Sequence, residues 1–187
     1  MTKIWGRSED EYTEAQNLDI EEHLEFFLGV KCCESMAGRF PEQRFEILSD
    51  SPPHDNFYSG DDFVVSEKLK TAMEEFNAFA EFFPVRIIYN GKDYTECRFF
   101  VCNILDCVDC FDHTRGKATF SKTRGFTDRI DKIKKLAIDE EKAAGHALFR
   151  IAKGGEYIEC VSDDLAARIE ELRLTGMKFV DPDQWCC

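Results

Sequence analysis

The chain has 187 residues, 43% of them hydrophobic, and a formal net charge of −13. This length and apolar content are ordinary for a globular protein, and we expect residues 1–187 to form one domain. The negative charge argues against a nucleic-acid binder, whose footprint is a basic surface. It suits a soluble protein, or one whose partner is basic.

The sequence has no apolar run of the roughly 18 residues that a transmembrane helix needs, so a membrane is not an expected partner. The first residues lack the apolar core of a signal peptide, and the cytoplasm is therefore the expected compartment. In that compartment the nine cysteines are expected as free thiols or ligands rather than as disulfides.

The leading section, residues 1–49, is acidic. Apolar residues at helical spacing predict an amphipathic helix over residues 19–29, with carboxylates on its outer face. We take the acidic residues of this section as candidate contacts for a basic partner, although a solvated helix face is the plainer interpretation. Residues 8–30 contain eight acids and no Lys or Arg: Glu9, Asp10, Glu11, Glu14, Asp19, Glu21, Glu22 and Glu25.

Two segments of the chain repeat one another. Residues 64–83 are echoed without a gap by residues 160–179. In each copy a β-branched strand ends at a serine, Ser66 or Ser162, which is a good N-cap for the amphipathic helix that follows. An aromatic strand comes after each helix. The repeat therefore predicts two similar strand–Ser-cap–helix–strand units.

The segments around this repeat are typical of further strands. Residues 82–89 form one, and Asn90-Gly91 is a strong two-residue hairpin turn. Residues 98–105 are apolar on both faces, which predicts a central strand. With short strands also expected near the C-terminus, the fold class predicted is α+β: a mostly antiparallel sheet flanked by helices, with a helical acidic N-terminal section.

Residues 113–135 reverse the charge of the chain, with eight Lys or Arg against two Asp. Gly116 and Gly125 indicate loops. A phosphate or nucleic-acid site is one interpretation. On a chain of net −13, a solvated loop paired with the chain's own acids is favoured.

Four cysteines are the sharpest candidates for a ligand set: Cys97, Cys102, Cys107 and Cys110. The last three match the spacing of plant-type ferredoxins, so a metal- or iron–sulfur-binding protein is the alternative function. Cys97 and Cys102, however, lie in or beside an apolar strand and point to opposite faces. Buried inert thiols are favoured, and no metal ligand or cofactor is assigned.

A cysteine enzyme is a further alternative, with Cys110 as the nucleophile and His113 or His146 as the base. Such catalysis needs the two groups close in space with an orienting partner. No recognised signature flanks Cys110, and the sequence contains neither a phosphate loop nor an H-E-x-x-H motif. We assign no catalytic residue and do not expect an enzyme.

Six segments, in this order and spacing, resemble the immunity-protein family of bacterial polymorphic toxin systems, which includes the myxobacterial-type immunity domain and was formerly a domain of unknown function. The segments are residues 62–69, 81–85, 99–112, 145–152, 161–165 and 174–180. The resemblance covers a family-like core over residues 57–182, and the first 50 residues match it less well.

The resemblance implies a cytoplasmic protein that binds and neutralises a toxin and performs no catalysis. Cys110 resembles a family position, and we interpret Asp109, Cys110 and Asp112 as structural residues. Acidic inhibitors often cover basic active sites, so the carboxylates of residues 9–25 are the expected contact. The identity of the toxin and the oligomeric state stay open at this point.

Overall fold

A computed structural model describes residues 1–19, 33–123 and 129–185. In these residues strands account for 42% and helices for 15%. The strands are β1 (Thr2–Arg7), β2 (Ala15–Asn17), β3 (Arg44–Ile47), β4 (Asn56–Ser59), β5 (Asp62–Ser66), β6 (Ala80–Tyr89), β7 (Lys92–Asp93), β8 (Phe99–Ile104), β9 (Cys107–Val108), β10 (Lys117–Phe120), β11 (Ile130–Lys135), β12 (Leu148–Ile151), β13 (Gly155–Ser162) and β14 (Met177–Val180). The described helices are α1 (Glu67–Glu75), α2 (Glu140–Ala143), α3 (Asp163–Glu171) and a 3-10 turn (Pro182–Gln184).

The predicted α+β fold with a helical N-terminal section is wrong, because the described part of the chain is mostly β. Residues 1–19 contain β1 and β2 and no helix. Long-range pairing decides this, since β1 inserts between β13 and β14 and buries Ile4 and Trp5. The helix predicted over residues 19–29 falls almost wholly on residues 20–32, which lie outside the described residues.

The described strands form three sheets. One has the order β14-β1-β13-β12-β9, and the largest has the order β2-β3-β6-β8-β5-β4, with β7 also paired to β6. Strand β8 is central and buried at every residue, as predicted from its apolar sequence. Among the strands that the structure describes, β10 and β11 pair only with each other. They form a hairpin where the sequence indicated loops.

The repeat in sequence is a repeat in topology. In the first unit β5, α1 and β6 follow one another, and β8 lies between β5 and β6, antiparallel to both. In the second unit β13, α3 and β14 follow one another, and β1 takes the place of β8. Each unit begins with an antiparallel hairpin, β4–β5 or β12–β13. The predicted pair of strand–helix–strand units is confirmed.

Both predicted serine caps are also confirmed. The Ser66 hydroxyl oxygen accepts a hydrogen bond from the backbone N–H of Leu69 at 3.2 Å, and the Ser162 oxygen accepts one from Leu165 at 3.3 Å. Each bond satisfies an amide that the first helical turn leaves without an intrahelical partner. Leu69 and Leu165 are themselves fully buried, so the caps fix how each helix enters the core.

The principal core is shared by the two units. Helices α1 and α3 contact each other, and their apolar faces meet residues from both large sheets. Trp5 of β1 lies at the junction. Its ring packs edge-on against Phe63 of β5 at 5.3 Å and against Phe179 of β14 at 5.1 Å between centroids. Burial of one such aromatic side chain contributes on the order of 2–3 kcal/mol.

A short polar segment before β4 connects the same two units. The Asp55 carboxylate accepts hydrogen bonds from the Ser66 hydroxyl at 2.7 Å and from the Thr175 amide at 3.0 Å. Asn56 accepts from the Trp5 indole N–H at 3.0 Å. Gly176 lies so close that a Cβ atom there would be 2.0 Å from the Asn56 carbonyl oxygen, and its φ is +96°. Only glycine fits this approach.

The two caps are expected to differ in their contribution to stability. Ser162→Ala removes one capping bond and is expected to cost about 1 kcal/mol. Ser66→Ala also leaves a carboxylate oxygen of Asp55 without its hydroxyl donor, so its cost is expected to be about 2 kcal/mol or more. Urea denaturation of both variants measures the difference, and equal losses would contradict the bridging role given to Asp55.

Candidate functional site

The predicted acidic contacts begin at the end of β1. Glu9, Asp10, Glu11 and Glu14 lie in the loop that joins β1 to β2, and Asp19 lies just after β2. The remaining three, Glu21, Glu22 and Glu25, lie outside the described residues. The five described acids do not have equal surroundings.

Three of these acids form ion pairs or hydrogen bonds with other parts of the protein. The Asp19 carboxylate forms an ion pair with Arg44 at 2.6 Å. Glu9 pairs with Lys178 at 2.7 Å, and a hydrogen bond from that lysine lowers the pKa of Glu9. Glu11 accepts a hydrogen bond from the Gly176 amide at 3.1 Å. These carboxylates hold the leading section against β3 and β14.

Asp10 and Glu14 differ from the other three. Both are exposed, and neither forms an ion pair or a side-chain hydrogen bond with any residue that the structure describes. A partner can meet their charges without first breaking an internal bond. They are the described members of the predicted set that are best placed for contact.

A cleft of about 230 Å³ lies beside this acidic loop. Arg7, the last residue of β1, lines it, as does the β4–β5 turn at Gly60 and Asp61. The loop returns to the same place, because the Ser59 hydroxyl donates a hydrogen bond to the Ala15 carbonyl at 3.1 Å. Other lining side chains come from β1, β4, β12 and β13: Trp5, Tyr58, Arg150, Glu156, Tyr157 and Glu159.

The charged side chains in the cleft are held by partners within the protein. Arg150 is 2% exposed, and its guanidinium donates to the Glu159 carboxylate at 3.1 Å. Burial raises the pKa of Glu159, and the charge of Arg150 opposes that shift. The Arg7 guanidinium lies 4.5 Å from the centre of the Tyr58 ring, a cation–π contact. Burial also raises the pKa of Tyr58 well above its ordinary value.

The rim of the cleft is more open. The Tyr157 side chain is half exposed, and Asp61 is exposed. Aromatic side chains in such positions are enriched at the centres of protein interfaces. The cleft therefore has the size and the mixture of charge and aromatic surface that suit a single inserted side chain of a partner protein.

A buried polar network lies where the acidic loop ends, at β2. The Asn17 side-chain amide donates to Gln43 at 3.0 Å and to Asp62 at 2.9 Å. All three residues are at least 96% buried, since their exposed fractions are 4%, 0% and 1%. Burial raises the pKa of Asp62 to about 7, and the Asn17 hydrogen bond opposes that rise.

The predicted cysteine ligand set does not converge. Cys102 lies in the core shared by the two units, whereas Cys110 lies with Cys160 in a second core on the other face of the five-stranded sheet. Cys107 is exposed. In residues 1–19, 33–123 and 129–185, no three His, Cys, Asp or Glu side chains are grouped as a metal site requires.

The exposed thiol of Cys107 lies within hydrogen-bond distance of Cys33 rather than of the other predicted ligands. A hydrogen bond between them raises the pKa of Cys33 and lowers that of Cys107. Burial raises the pKa of Cys110 and of Cys102 to about 12. Since the thiolate is the nucleophile, a buried thiol with a raised pKa is the opposite of what a Cys110 enzyme needs.

The two candidate bases are occupied by other contacts. The His113 ring packs against Phe111 and Phe120, with centroids 5.2 and 5.5 Å away. The Nδ1 atom of His146 lies 2.7 Å from a carboxylate oxygen of Asp106. Neither arrangement supports the predicted alternative in which Cys110 is the nucleophile.

The Immunity protein family (Imm11) matches residues 12–183, which is most of the chain. The chain belongs to the Imm11 family. The resemblance predicted from six segments is thereby confirmed. The Imm11 match begins at residue 12, so it also includes much of the acidic leading section. No curated protein matches the chain.

Membership of Imm11 implies a role in toxin immunity and an interaction with a toxin. Immunity proteins are generally not enzymes. None of the helices in the described residues is long and apolar enough to cross a membrane.

Sequence reasoning missed the cleft of this Imm11 protein and the pairing of its acids. The cleft joins β1, the β4–β5 turn and β12–β13, whose residues are far apart in the chain. The bonds of Asp19 and Glu9 likewise depend on tertiary contacts. The only sequence signal was the concentration of carboxylates itself.

The buried carboxyl of Asp62 predicts an unusual dependence of stability on pH. Its folded pKa of about 7 lies above the unfolded value of about 3.9, so the folded state holds the proton more tightly. The free energy of unfolding should therefore fall as the pH rises from about 4 to 7 and stay lower above that range. Asp62→Asn removes this effect and should stabilise the protein by up to about 4 kcal/mol at pH 8.

Denaturant titrations of Asp62→Asn and of wild type at pH 4.5 and pH 8 measure the effect. The exposed Glu141→Gln serves as the control. The gain should be large at pH 8 and small at pH 4.5 for Asp62→Asn alone. A gain independent of pH would contradict the assignment.

Proposed function

We propose that this protein is an immunity protein that binds a cognate toxin one-to-one in the cytoplasm and neutralises it without catalysis. The observation that carries the proposal is the Imm11 match over residues 12–183. The charge of the chain adds to it, because a net −13 suits an inhibitor that covers a basic surface.

The contact proposed is the acidic segment first predicted from sequence, together with the cleft beside it. Asp10 and Glu14 attract a basic toxin surface at long range, which speeds encounter. The cleft then receives one toxin side chain against Arg150, Glu159 and the half-exposed ring of Tyr157. Three other carboxylates hold the segment in place through their bonds to the rest of the fold and so affect binding only indirectly: Glu9, Glu11 and Asp19.

Rescue from toxicity tests the proposed function directly. The partner is sought as a toxic C-terminal domain encoded by the neighbouring open reading frame. Co-expression of the full chain with that domain is expected to restore growth, and the two proteins are expected to co-purify in equal amounts. Continued toxicity despite soluble expression of both would overturn the function.

Charge reversal tests the contact separately. Asp10→Lys combined with Glu14→Lys is expected to slow association with the toxin domain about tenfold at low salt, because long-range attraction is lost. The dissociation rate should change less. Stopped-flow or biosensor kinetics measure both rates.

The matched control reverses Glu141 and Asp183, which are also exposed. Both lie toward the opposite end of β1, where Thr2 borders the Glu140 carboxylate and the 3-10 turn. If both double variants slow association equally, the effect is one of net charge and the acidic segment is not the contact. That result would leave the immunity function intact.

A further inference from the structure

The hairpin of β10 and β11 has an irregular pairing. β11 has six residues and β10 has four, and register shifts occur between Lys117 and Ala118 and between Thr119 and Phe120. At each shift β11 carries an extra residue. Such bulges re-aim side chains and are structural features rather than defects.

The bulges turn the charged residues of β11 outward. Ile130 and Ile133 are buried against the second core, and Ala118 and Phe120 of β10 pack there in part. The other four residues of β11 are all exposed. The outward side of the hairpin therefore carries one carboxylate, Asp131, and an excess of lysines. We define the basic face by its four lysines: Lys117, Lys132, Lys134 and Lys135.

The basic face contains an unfavourable pair. Lys117 and Lys135 are directly opposite each other in the ladder, and both are exposed. Like charges in this position destabilise a sheet. Within the part of the chain that the structure describes, none of the four lysines forms an ion pair. Exposed lysines elsewhere, such as Lys68 and Lys92, are also unpaired there, so the grouping of the four on one face is what distinguishes them. A chain with 37 acids against 24 bases has carboxylates enough to pair them.

Protection of an exposed strand edge explains part of this arrangement, because lysines on edge strands prevent edge-to-edge aggregation. That role does not explain why Lys117 and Lys135 stand opposite each other, since one lysine on either strand would serve. Like charges held together at a cost in stability point to an opposite charge supplied by a partner.

We propose that the basic face docks an acidic, extended polypeptide segment. Three residues of a strand span about 10 Å, so Lys132 to Lys135 match a few successive carboxylates of such a segment. This surface is separate from the acidic segment proposed for the toxin, and the proposal does not depend on that function.

The negative charge of the rest of the chain favours a short acidic segment over a nucleic acid or a second copy of the chain. A nucleic acid carries a charge about every 1.7 Å along its axis and would extend from the small basic face over the acidic remainder of the chain. A second copy of this chain brings its own net −13 and is repelled. A short acidic segment is affected mainly by charges within the screening length of about 8 Å, where the lysines dominate.

A labelled deca-glutamate peptide is the probe, and its binding to the full chain is measured by fluorescence anisotropy at low salt. Lys132→Glu combined with Lys135→Glu is expected to weaken binding at least about fivefold. The matched control is Lys68→Glu combined with Lys92→Glu, at exposed lysines outside the hairpin with the same change in net charge. The control is expected to bind within about twofold of wild type.

Thermal melting of the single variant Lys135→Glu supplies a second readout. The substitution turns a like-charge cross-strand pair into an opposite-charge pair, so the Tm is expected to rise by about 1–2 °C while peptide binding weakens. A fall in Tm would mean that Lys135 stabilises the fold, and it would overturn the argument from unfavourable charge.

Four other results would overturn the proposal. Wild type does not bind the peptide, or both double variants lose binding equally. Wild type binds a 20-base-pair DNA duplex more tightly than the peptide, and the hairpin variant loses that binding, which makes the partner a nucleic acid. Sedimentation finds a wild-type dimer that the hairpin variant dissociates, which makes the occupant a second copy.

Discussion

The fold depends on one polar junction, the Asp55–Asn56 segment, where the two repeated units meet; Asp55 is half-buried and Asn56 is buried. Asp55 joins the cap of α1 to the residue that leads into β14, and Asn56 receives the indole N–H of Trp5. Apolar packing alone tolerates several arrangements of two similar layers. A polar group in the interior is favourable only when its partners are in place, so this junction selects one arrangement of the two units. Gly176 allows it, because no other residue fits against the Asn56 backbone.

The same junction determines where the candidate contact lies. Trp5 fixes β1 in the second unit, and the loop that carries the acids leaves from the end of that strand. Glu9 and Glu11 then bond to residues at the start of β14. The surface proposed for the toxin is therefore an extension of the core, in which some carboxylates hold the loop and others stay exposed. The basic face has the opposite charge to this acidic surface, and it packs on the second core through Ile130 and Ile133.

Local signals in the sequence predicted the features that are locally determined. The two serine caps, the Asn90-Gly91 turn and the buried strand β8 all follow from neighbouring residues. The prediction of a helical N-terminal section was wrong because β1 is stabilised by strands more than 150 residues away in the chain. No local pattern reveals such a pairing.

Strand β11 was not predicted for another reason. Its buried residues, Ile130 and Ile133, are three apart because of the bulges, so a search for alternation does not find a strand. The cleft was unpredictable because its walls meet only in the folded chain.

The place of β1 has a consequence for how the molecule is made. In the second unit the middle strand precedes its two neighbours by more than 150 residues, so it is synthesised well before either of them. The ring of contacts that encloses Trp5 closes only when residues 155–180 are available. Closing so long a loop is entropically costly and slows folding. A chain that ends before β14 leaves the indole and one edge of β1 uncovered, so the surface proposed for the toxin forms late in synthesis rather than gradually.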